Sequence, residues 1–176
     1  MSVLQPKIDD GTLKVVSGQV SQQQTATAGW KAENAQKRMD AILSANYQGD
    51  TSLDGVLSPN DTLARAALTS VKSAGKPNPV ITGQDSEVES VKLVQQGVQY
   101  STIDKDTKTF VTKVVEYIGK IAAGQPVEVN DTKSYDNGVK VVPAYLLTPV
   151  IVTKDNVCTQ YAADTAAGKA AAEVCK

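Results

Sequence analysis

The feature that most constrains the fold is a regular alternation of short apolar runs with longer segments of helical periodicity. The runs with strand character are 13–17, 53–57, 79–82 and 98–103. The segments with helical character are 23–45, 62–74 and 86–96. Nearly continuous apolar strands separated by helices are typical of a parallel sheet covered by helices on both faces. The sequence therefore predicts an α/β fold built on a doubly wound parallel sheet.

The pattern changes after Lys105. Residues 107–123 predict a strongly amphipathic helix. Its apolar stripe consists of Phe110, Val111, Val114, Val115, Ile118, Ile121 and Ala122. An Asn-Gly pair at 137–138 predicts a hairpin turn, and two prolines interrupt the extended run 139–152, which favours a crossing segment over a regular central strand. The Ala-rich tail beyond residue 156 predicts further helix.

The composition argues against several classes of function. The net charge is −1 and the pI about 5.5, without the basic balance that a nucleic-acid partner requires. Histidine is absent, which removes the commonest general base and the commonest metal ligand. The motifs of hydrolases, metalloproteases, dinucleotide-binding sites and phosphate-binding loops do not occur. We therefore expect a protein that is not an enzyme and needs no cofactor or metal.

The sequence also shows neither a membrane-spanning run nor a signal-peptide pattern. No apolar run approaches the roughly 20 residues that span a membrane. Residues 1–10 lack a basic segment followed by an apolar one, so we expect no signal peptide in this chain.

Two cysteines, Cys158 and Cys175, flank the Ala-rich part of the tail. They are too few to build a zinc site by themselves. A disulfide between them and a pair of free thiols both fit the sequence, and the disulfide requires an oxidising compartment.

Polar residues follow three successive predicted strands. Asn60, Asp85 and Lys105 each come shortly after a strand end, and the carboxyl ends of parallel strands share one edge of a sheet. An amide, a carboxylate and an ammonium group supply donors and acceptors suited to a ligand with several hydroxyls. Trp30, near the start of the first long helix, could stack its indole on the apolar face of a sugar ring.

Each of these residues also has a purely structural interpretation. Asn60 or Asp61 could cap the helix that follows, and Asp85 could cap the helix starting at Ser86. Lys105 could be a solvated charge and Trp30 a core residue. The functional interpretation rests on their shared placement at strand ends.

Several longer runs resemble a known family. They are VVSGQ, RMDAILSAN, GVLSPNDTLA, VITGQDSEVESVK, GVQYSTIDKDT and YDNGVKVVPAYLLTPVIVTKDN. Together they are similar to the C-terminal half of type I periplasmic binding proteins for monosaccharides, in the xylose-binding and multiple-sugar-binding (glucose, galactose) subgroup of ABC importers. The resemblance extends to about Asn156 and does not include the cysteine-containing tail.

The resemblance implies a fold, a function and a set of roles. It implies two doubly wound lobes joined by three crossing segments, with a monosaccharide bound between them for delivery to a membrane permease. By position, the sugar-contacting residues are Asn60, Asp85 and Lys105, with Trp30 as the stacking aromatic. The expected location is periplasmic, or extracellular and membrane-associated. The preferred sugar stays open.

The resemblance also divides the chain. Residues 1–104 correspond to the C-terminal sugar-binding lobe, 105–146 to a helix and hairpin of the N-terminal lobe, and 147–176 to the return crossing and tail. The rest of the N-terminal lobe is expected to lie outside this chain, which leaves the helix 107–123 without its partner sheet. An unpartnered apolar stripe favours self-association, so we expect a homodimer through this helix.

Two rival functions have weaker support. The same fold serves as the effector-binding core of sugar-responsive transcription regulators, and an oxidised cysteine pair would argue against that cytosolic role. A small α/β enzyme would need a nucleophile or base motif that the sequence lacks.

Overall fold

The computed structural model describes residues 2–175, and Met1 and Lys176 lie outside the described residues. The helices are α1 Gln5–Asp9, α2 Gln22–Thr25, α3 Ala32–Asn46, α4 Asp61–Ser73, α5 Val88–Gln95, α6 Thr107–Ala122, α7 Val157–Gln160 and α8 Ala166–Val174. The strands are β1 Gly55–Val56, β2 Val80–Ile81, β3 Thr102–Asp104 and β4 Val150–Val152. A 3-10 turn, Ala28–Trp30, precedes α3.

The first core lies between α3, α4 and the β1–β2 pair. The two strands are parallel, with Gly55 beside Val80 and Val56 beside Ile81. The apolar face of α4 is buried against α3 and the strands because its small and branched residues recur at helical spacing. The buried members of this core are Met39, Leu43, Ala64, Ala67, Leu68, Val71 and Ile81.

The second core joins α5 to the tail of the chain. Helix α8 packs on α5, and β4 pairs antiparallel with β3, with Ile103 opposite Ile151. The buried members are Val91, Val94, Val152, Val157, Ala170 and Ala171. The backbone N–H of Tyr100 donates to the carbonyl of Ile81 at 2.9 Å, so the segment leading into β3 runs beside β2 and connects the two halves.

The predicted order of elements from 53 to 123 is confirmed, with shorter strands than the apolar runs suggest. The predicted strand at 13–17 was wrong. In the structure, Leu13 and Val15 remain exposed, and the chain turns back where the N–H of Gly18 donates to the carbonyl of Val15. An apolar run forms a strand only where a neighbour supplies the ladder, and none of the described residues does so here.

The predicted helix 23–45 is broken in its first third. Gly29 and Trp30 adopt left-handed backbone with φ of 64° and 54°, which no α-helix accommodates. Helix α3 therefore begins only at Ala32.

Helix α6 carries the predicted apolar stripe, and the hairpin at 137–138 forms as predicted, with bridges between Asp136 and Val141 and between Asp131 and Ala144. The hairpin segment covers one side of α6. There the hydroxyl of Tyr117 donates to the carbonyl of Glu128 at 2.7 Å, and the Tyr117 and Tyr145 rings meet edge to face. The stripe on the other side is exposed: Phe110, Val111, Val115, Ile118 and Ile121 each keep more than half of their surface accessible.

None of the helices within residues 2–175 combines the length and the apolar composition that crossing a bilayer requires.

The tail is closed by a disulfide and bonded to α5 by an ion pair. Cys158 and Cys175 form a disulfide with their Cα atoms 5.7 Å apart, which links α7 to the end of α8. The Lys92 ammonium on α5 lies 2.7 Å from the carboxylate of Glu173 on α8. The tail is therefore an integral part of the second core.

Removing the disulfide is expected to destabilise the protein. The bridge closes a loop across a separation of 17 residues, which corresponds to about 3 kcal/mol in the free energy of unfolding in the chain-entropy description. Urea denaturation of a C158A/C175A variant against the oxidised protein measures the difference. Reductant should lower the midpoint of the wild type and leave that of the variant unchanged; equal midpoints for all samples would contradict the prediction.

Candidate functional site

The centre of the candidate site is an ion pair between two of the residues predicted from strand ends. The ammonium of Lys105 lies 2.6 Å from the Asp85 carboxylate, with the two side chains 49% and 38% exposed. The structure therefore brings the end of the loop after β2 close to the end of β3, as the strand-end interpretation predicted. Because both side chains reach solvent, the pair contributes little to stability and is open to a ligand.

Asn60 stands at the start of α4 and acts as its N-cap. Its Oδ1 accepts a hydrogen bond from the N–H of Leu63 at 2.9 Å. None of the described residues accepts from its side-chain N–H₂, so that donor remains available to a ligand. The capping role expected of Asn60 is confirmed, and it leaves half of the amide free.

Asp85 does not cap a helix. Helix α5 starts at Val88 with Glu87 as the N-cap residue, and no side chain caps it. The capping interpretation of Asp85 was wrong because its backbone is left-handed, with φ 98°, and its carboxylate faces Lys105 instead.

Trp30 projects from the 3-10 turn ahead of α3 and is 60% exposed. The core interpretation of this residue was therefore wrong. An exposed indole on a rigid turn is a surface on which a sugar ring can stack. Helix α3, which follows this turn, packs along α4, the helix that Asn60 caps.

Sequence reasoning missed the buried residue that organises these loops, Asp61. Its carboxylate is fully buried and accepts hydrogen bonds from the N–H of Glu87 (2.9 Å), the amide of Gln99 (2.8 Å) and the hydroxyl of Thr102 (2.9 Å). Its own N–H donates to the carbonyl of Gln84 at 2.9 Å. One side chain thus joins the start of α4, the loop after β2 and the approach to β3.

Burial and hydrogen bonding shift the pKa of the Asp61 carboxyl in opposite directions. Burial raises the pKa of its carboxyl above the ordinary value, and the hydrogen bonds from Glu87, Gln99 and Thr102 oppose that rise. The sequence contains one signal of this close packing, the glycine at 83. A Cβ at Gly83 would collide with the Asp61 carboxylate and the Gln99 amide.

The geometry suits reversible binding of a polyhydroxylated ligand. The Asp85 carboxylate and the Lys105 ammonium lie 2.6 Å apart, and the N–H of Asp61, the residue after Asn60, donates to the carbonyl of Gln84, the residue before Asp85. With the side-chain amide of Asn60, the ion pair supplies an acceptor and two donors, and charged groups make the stronger hydrogen bonds. Among residues 2–175 no three acidic or thiol side chains are grouped to hold a metal ion. A groove of about 960 Å³ lies at the opposite ends of β1 and β2 around Tyr47 and Lys76, away from these residues.

Comparison with known proteins identifies the family. The sequence model described as "Periplasmic binding protein domain" matches residues 1–126, which is more than two thirds of the chain. The chain belongs to the periplasmic binding protein family. This periplasmic binding protein has the α/β fold that the strand and helix pattern predicted.

The curated relatives that it matches include proteins named for sugar binding. It is 49% identical over 161 residues to the multiple sugar-binding periplasmic receptor ChvE of Rhizobium radiobacter, covering 89% of this chain and 45% of the relative. It is 34% identical over 158 residues to the D-xylose-binding periplasmic protein of Escherichia coli, covering 89% of this chain and 44% of the relative. The chain therefore spans about half the length of the curated relatives it matches.

Solved structures agree with the sequence comparison. An ABC transporter solute-binding protein from Clostridium phytofermentans with bound β-D-glucose superposes with a TM-score of 0.84 at 43% identity, over 89% of this chain and 48% of that chain. A carbohydrate transporter solute-binding protein from Chloroflexus aurantiacus in complex with D-glucose superposes with a TM-score of 0.79 at 30% identity, over 90% of this chain and 51% of that chain.

A methyl group at position 83 tests the packing around Asp61. Gly83→Ala is expected to lower the free energy of unfolding by about 1–3 kcal/mol because its Cβ overpacks a buried polar network. Gly119→Ala is the matched control, since a Cβ there meets no atom within 4 Å and lies inside α6. It should stabilise the protein by up to about 1 kcal/mol. Chemical denaturation measures both, and equal stability of the two variants would contradict the proposed packing.

Proposed function

We propose that this chain carries the C-terminal half of a monosaccharide-binding site in the substrate-binding component of a bacterial ABC sugar importer. The observation that carries the proposal is the exposed Asp85–Lys105 ion pair. The loop before Asp85 is bonded to the start of α4, where the side-chain N–H₂ of Asn60 has no acceptor among the described residues. The family membership and the relatives named for xylose and multiple sugars support it. The expected ligands are aldoses of the glucose, galactose or xylose type.

Binding exchanges the ion pair for hydrogen bonds to the sugar. The Asp85 carboxylate accepts from ring hydroxyls, while the Lys105 ammonium and the Asn60 amide donate to them. Trp30 stacks on the C–H face of the ring. No bond is made or broken, so capture is reversible and the protein is a carrier rather than an enzyme.

The proposed domain division follows the path of the chain through this site. Residues 1–104 form the sugar-binding lobe, 105–146 the helix α6 and hairpin of a second lobe, and 147–176 the return crossing and tail. Lys105 stands at the junction of the first two parts, directly after β3. Closure of the lobes over the sugar would present the closed form to a membrane permease.

The proposed location is the periplasm or the outer face of a membrane, and the Cys158–Cys175 disulfide supports an oxidising compartment. The alternative of an effector-binding core of a transcription regulator gains no support from the relatives named above, which are periplasmic binding proteins. It would also place the disulfide in a reducing compartment.

The exposed stripe of α6 supports self-association of this chain through 107–123. We expect light scattering at micromolar concentration to give a mass above that of a monomer. Ile118→Lys on the stripe should restore the monomer, while Val139→Lys in the hairpin, where the side chain is 90% exposed, should not. A strictly monomeric wild type would contradict this prediction.

A fluorescence titration tests the binding function. Trp30 is the only tryptophan, so its emission reports on the proposed stacking site. We expect a saturable change with one or more of xylose, glucose, galactose, arabinose and ribose, in a titration extended to about 100 mM to reach a weak half-site. Absence of any saturable response would contradict the proposal.

A charge-neutralising pair of variants gives the matched control. Asp85→Asn keeps the size of the side chain and removes its charge, and it should weaken sugar binding about tenfold or more, as expected for a charged hydrogen bond. Asp40→Asn makes the same change at an exposed position on α3 and should leave the affinity unchanged. Equal effects of the two variants would show that Asp85 does not contact the sugar.

A further inference from the structure

The turn that carries Asp85 has an unfavourable backbone. Asp85 and Ser86 are consecutive left-handed residues, with φ of 98° and 53°, and neither is glycine. Such conformations are unfavourable for residues other than glycine and persist only where surrounding contacts hold them. The turn must therefore be held from outside itself.

Three consecutive backbone donors of this turn are bonded to the framework behind it. The N–H of Asp85 donates to the carbonyl of Ile103 at 3.0 Å, and the N–H of Ser86 to the hydroxyl of Thr102 at 3.0 Å. The N–H of Glu87 donates to the Asp61 carboxylate at 2.9 Å. Two of the three acceptors are side chains, so the conformation of the turn depends on which residues occupy those positions.

Thr102 has a particular role because one hydroxyl makes two of the connections. Its oxygen accepts from the N–H of Ser86, and its proton is donated to the Asp61 carboxylate at 2.9 Å. The side chain is fully buried, so solvent cannot replace either bond. Valine at this position would keep the shape and lose both bonds, while serine would keep the hydroxyl.

The tail of the chain reaches the same turn from the other side. The hydroxyl of Tyr161 donates to the Ser86 hydroxyl oxygen at 2.9 Å, and the amide of Gln160 donates to the Asp104 carboxylate at 3.0 Å. Ser86 and Asp104 are the immediate neighbours of Asp85 and Lys105. Burial raises the pKa of Tyr161 to about 12, further above the ordinary value at which a tyrosine hydroxyl is already protonated and able to donate at neutral pH. Tyr161 lies beyond residues 1–126, the part matched by the family sequence model.

We propose that Thr102 and Tyr161 are positioning residues for the sugar site, which hold the Asp85–Ser86 turn so that the Asp85 carboxylate faces Lys105 before the ligand arrives. The inference rests on the proposed sugar-binding function and adds the residues that set its affinity without touching the ligand. A turn already held in its binding conformation loses little freedom on binding. A released turn relaxes from the strained backbone and must be ordered again by each sugar.

The main test compares Thr102→Val with Thr102→Ser, and Tyr161→Phe with Tyr135→Phe. Tyr135 lies in the hairpin with an exposed ring, so its change controls for the loss of a hydroxyl. The Kd is measured for the aldose that gives a saturable Trp30 response with the wild type, among xylose, glucose, galactose, arabinose and ribose. Thr102→Val and Tyr161→Phe should each raise this Kd about fivefold or more, the effect of at least one lost hydrogen bond. Thr102→Ser and Tyr135→Phe should bind as the wild type does. Each Kd is taken well below the unfolding midpoint of the variant, so that a purely structural defect does not change it.

A second readout is independent of the sugar. Amide hydrogen exchange at residues 85–87 should accelerate in Thr102→Val and Tyr161→Phe more than exchange in the α4 core does, and it should stay at the wild-type rate in the two controls. Wild-type affinity and wild-type exchange at 85–87 in Thr102→Val would overturn the positioning role while the binding function stands. Faster exchange at 85–87 with no aldose bound by the wild type would overturn the binding function instead.

Discussion

The structure around the site depends on one buried carboxylate, that of Asp61. It is placed where three loops meet, and each of its hydrogen-bond donors belongs to a different segment: the start of α5, the approach to β3 and β3 itself. A buried charge is tolerated only when such donors surround it. Because Asp61 accepts hydrogen bonds from all of these segments, it holds them together. The proposed sugar-contacting residues Asn60, Asp85 and Lys105 lie on or next to these segments.

This polar network lies between two apolar cores, which are also joined where Leu93 of α5 packs against the first core and Arg65 of α4 bonds to Ser90 of α5. The first core packs α3 and α4 on the parallel pair β1–β2, and the second packs α5, α7 and α8 beside β4. Apolar packing is non-directional and does not by itself fix the loops at the strand ends. Directional hydrogen bonds, accepted by the Asp61 carboxylate and donated by the hydroxyls of Thr102 and Tyr161, do so. The rigid cores thus supply stability, and the network supplies the position of the binding groups.

The sequence predicted the order of elements because α4, α5 and α6 have strong helical periodicity and because the strands are apolar runs between them. It also predicted that Asp85 and Lys105 lie at one edge, because both follow strand ends, whereas their direct ion pair is known only from the structure. It failed at 13–17 and at Trp30, where local composition suggested a strand and a continuous helix. Asp61 was interpreted only as a possible cap, because burial depends on the long-range contacts with Gln99 and Thr102, which periodicity does not reveal.

The backbone of the described chain gives independent support to the candidate site. Within residues 2–175, the residues other than glycine with positive φ are Trp30, Asp85 and Ser86, while glycine occupies the remaining positions of this kind, such as Gly75 and Gly97. Glycine would satisfy the backbone at Trp30 and Asp85 at lower cost. A side chain kept at such a position favours a role beyond the fold, which is the role proposed for both residues. An exposed indole and an exposed carboxylate on strained, well-held turns are the groups that stacking on a sugar and accepting its hydroxyls would require.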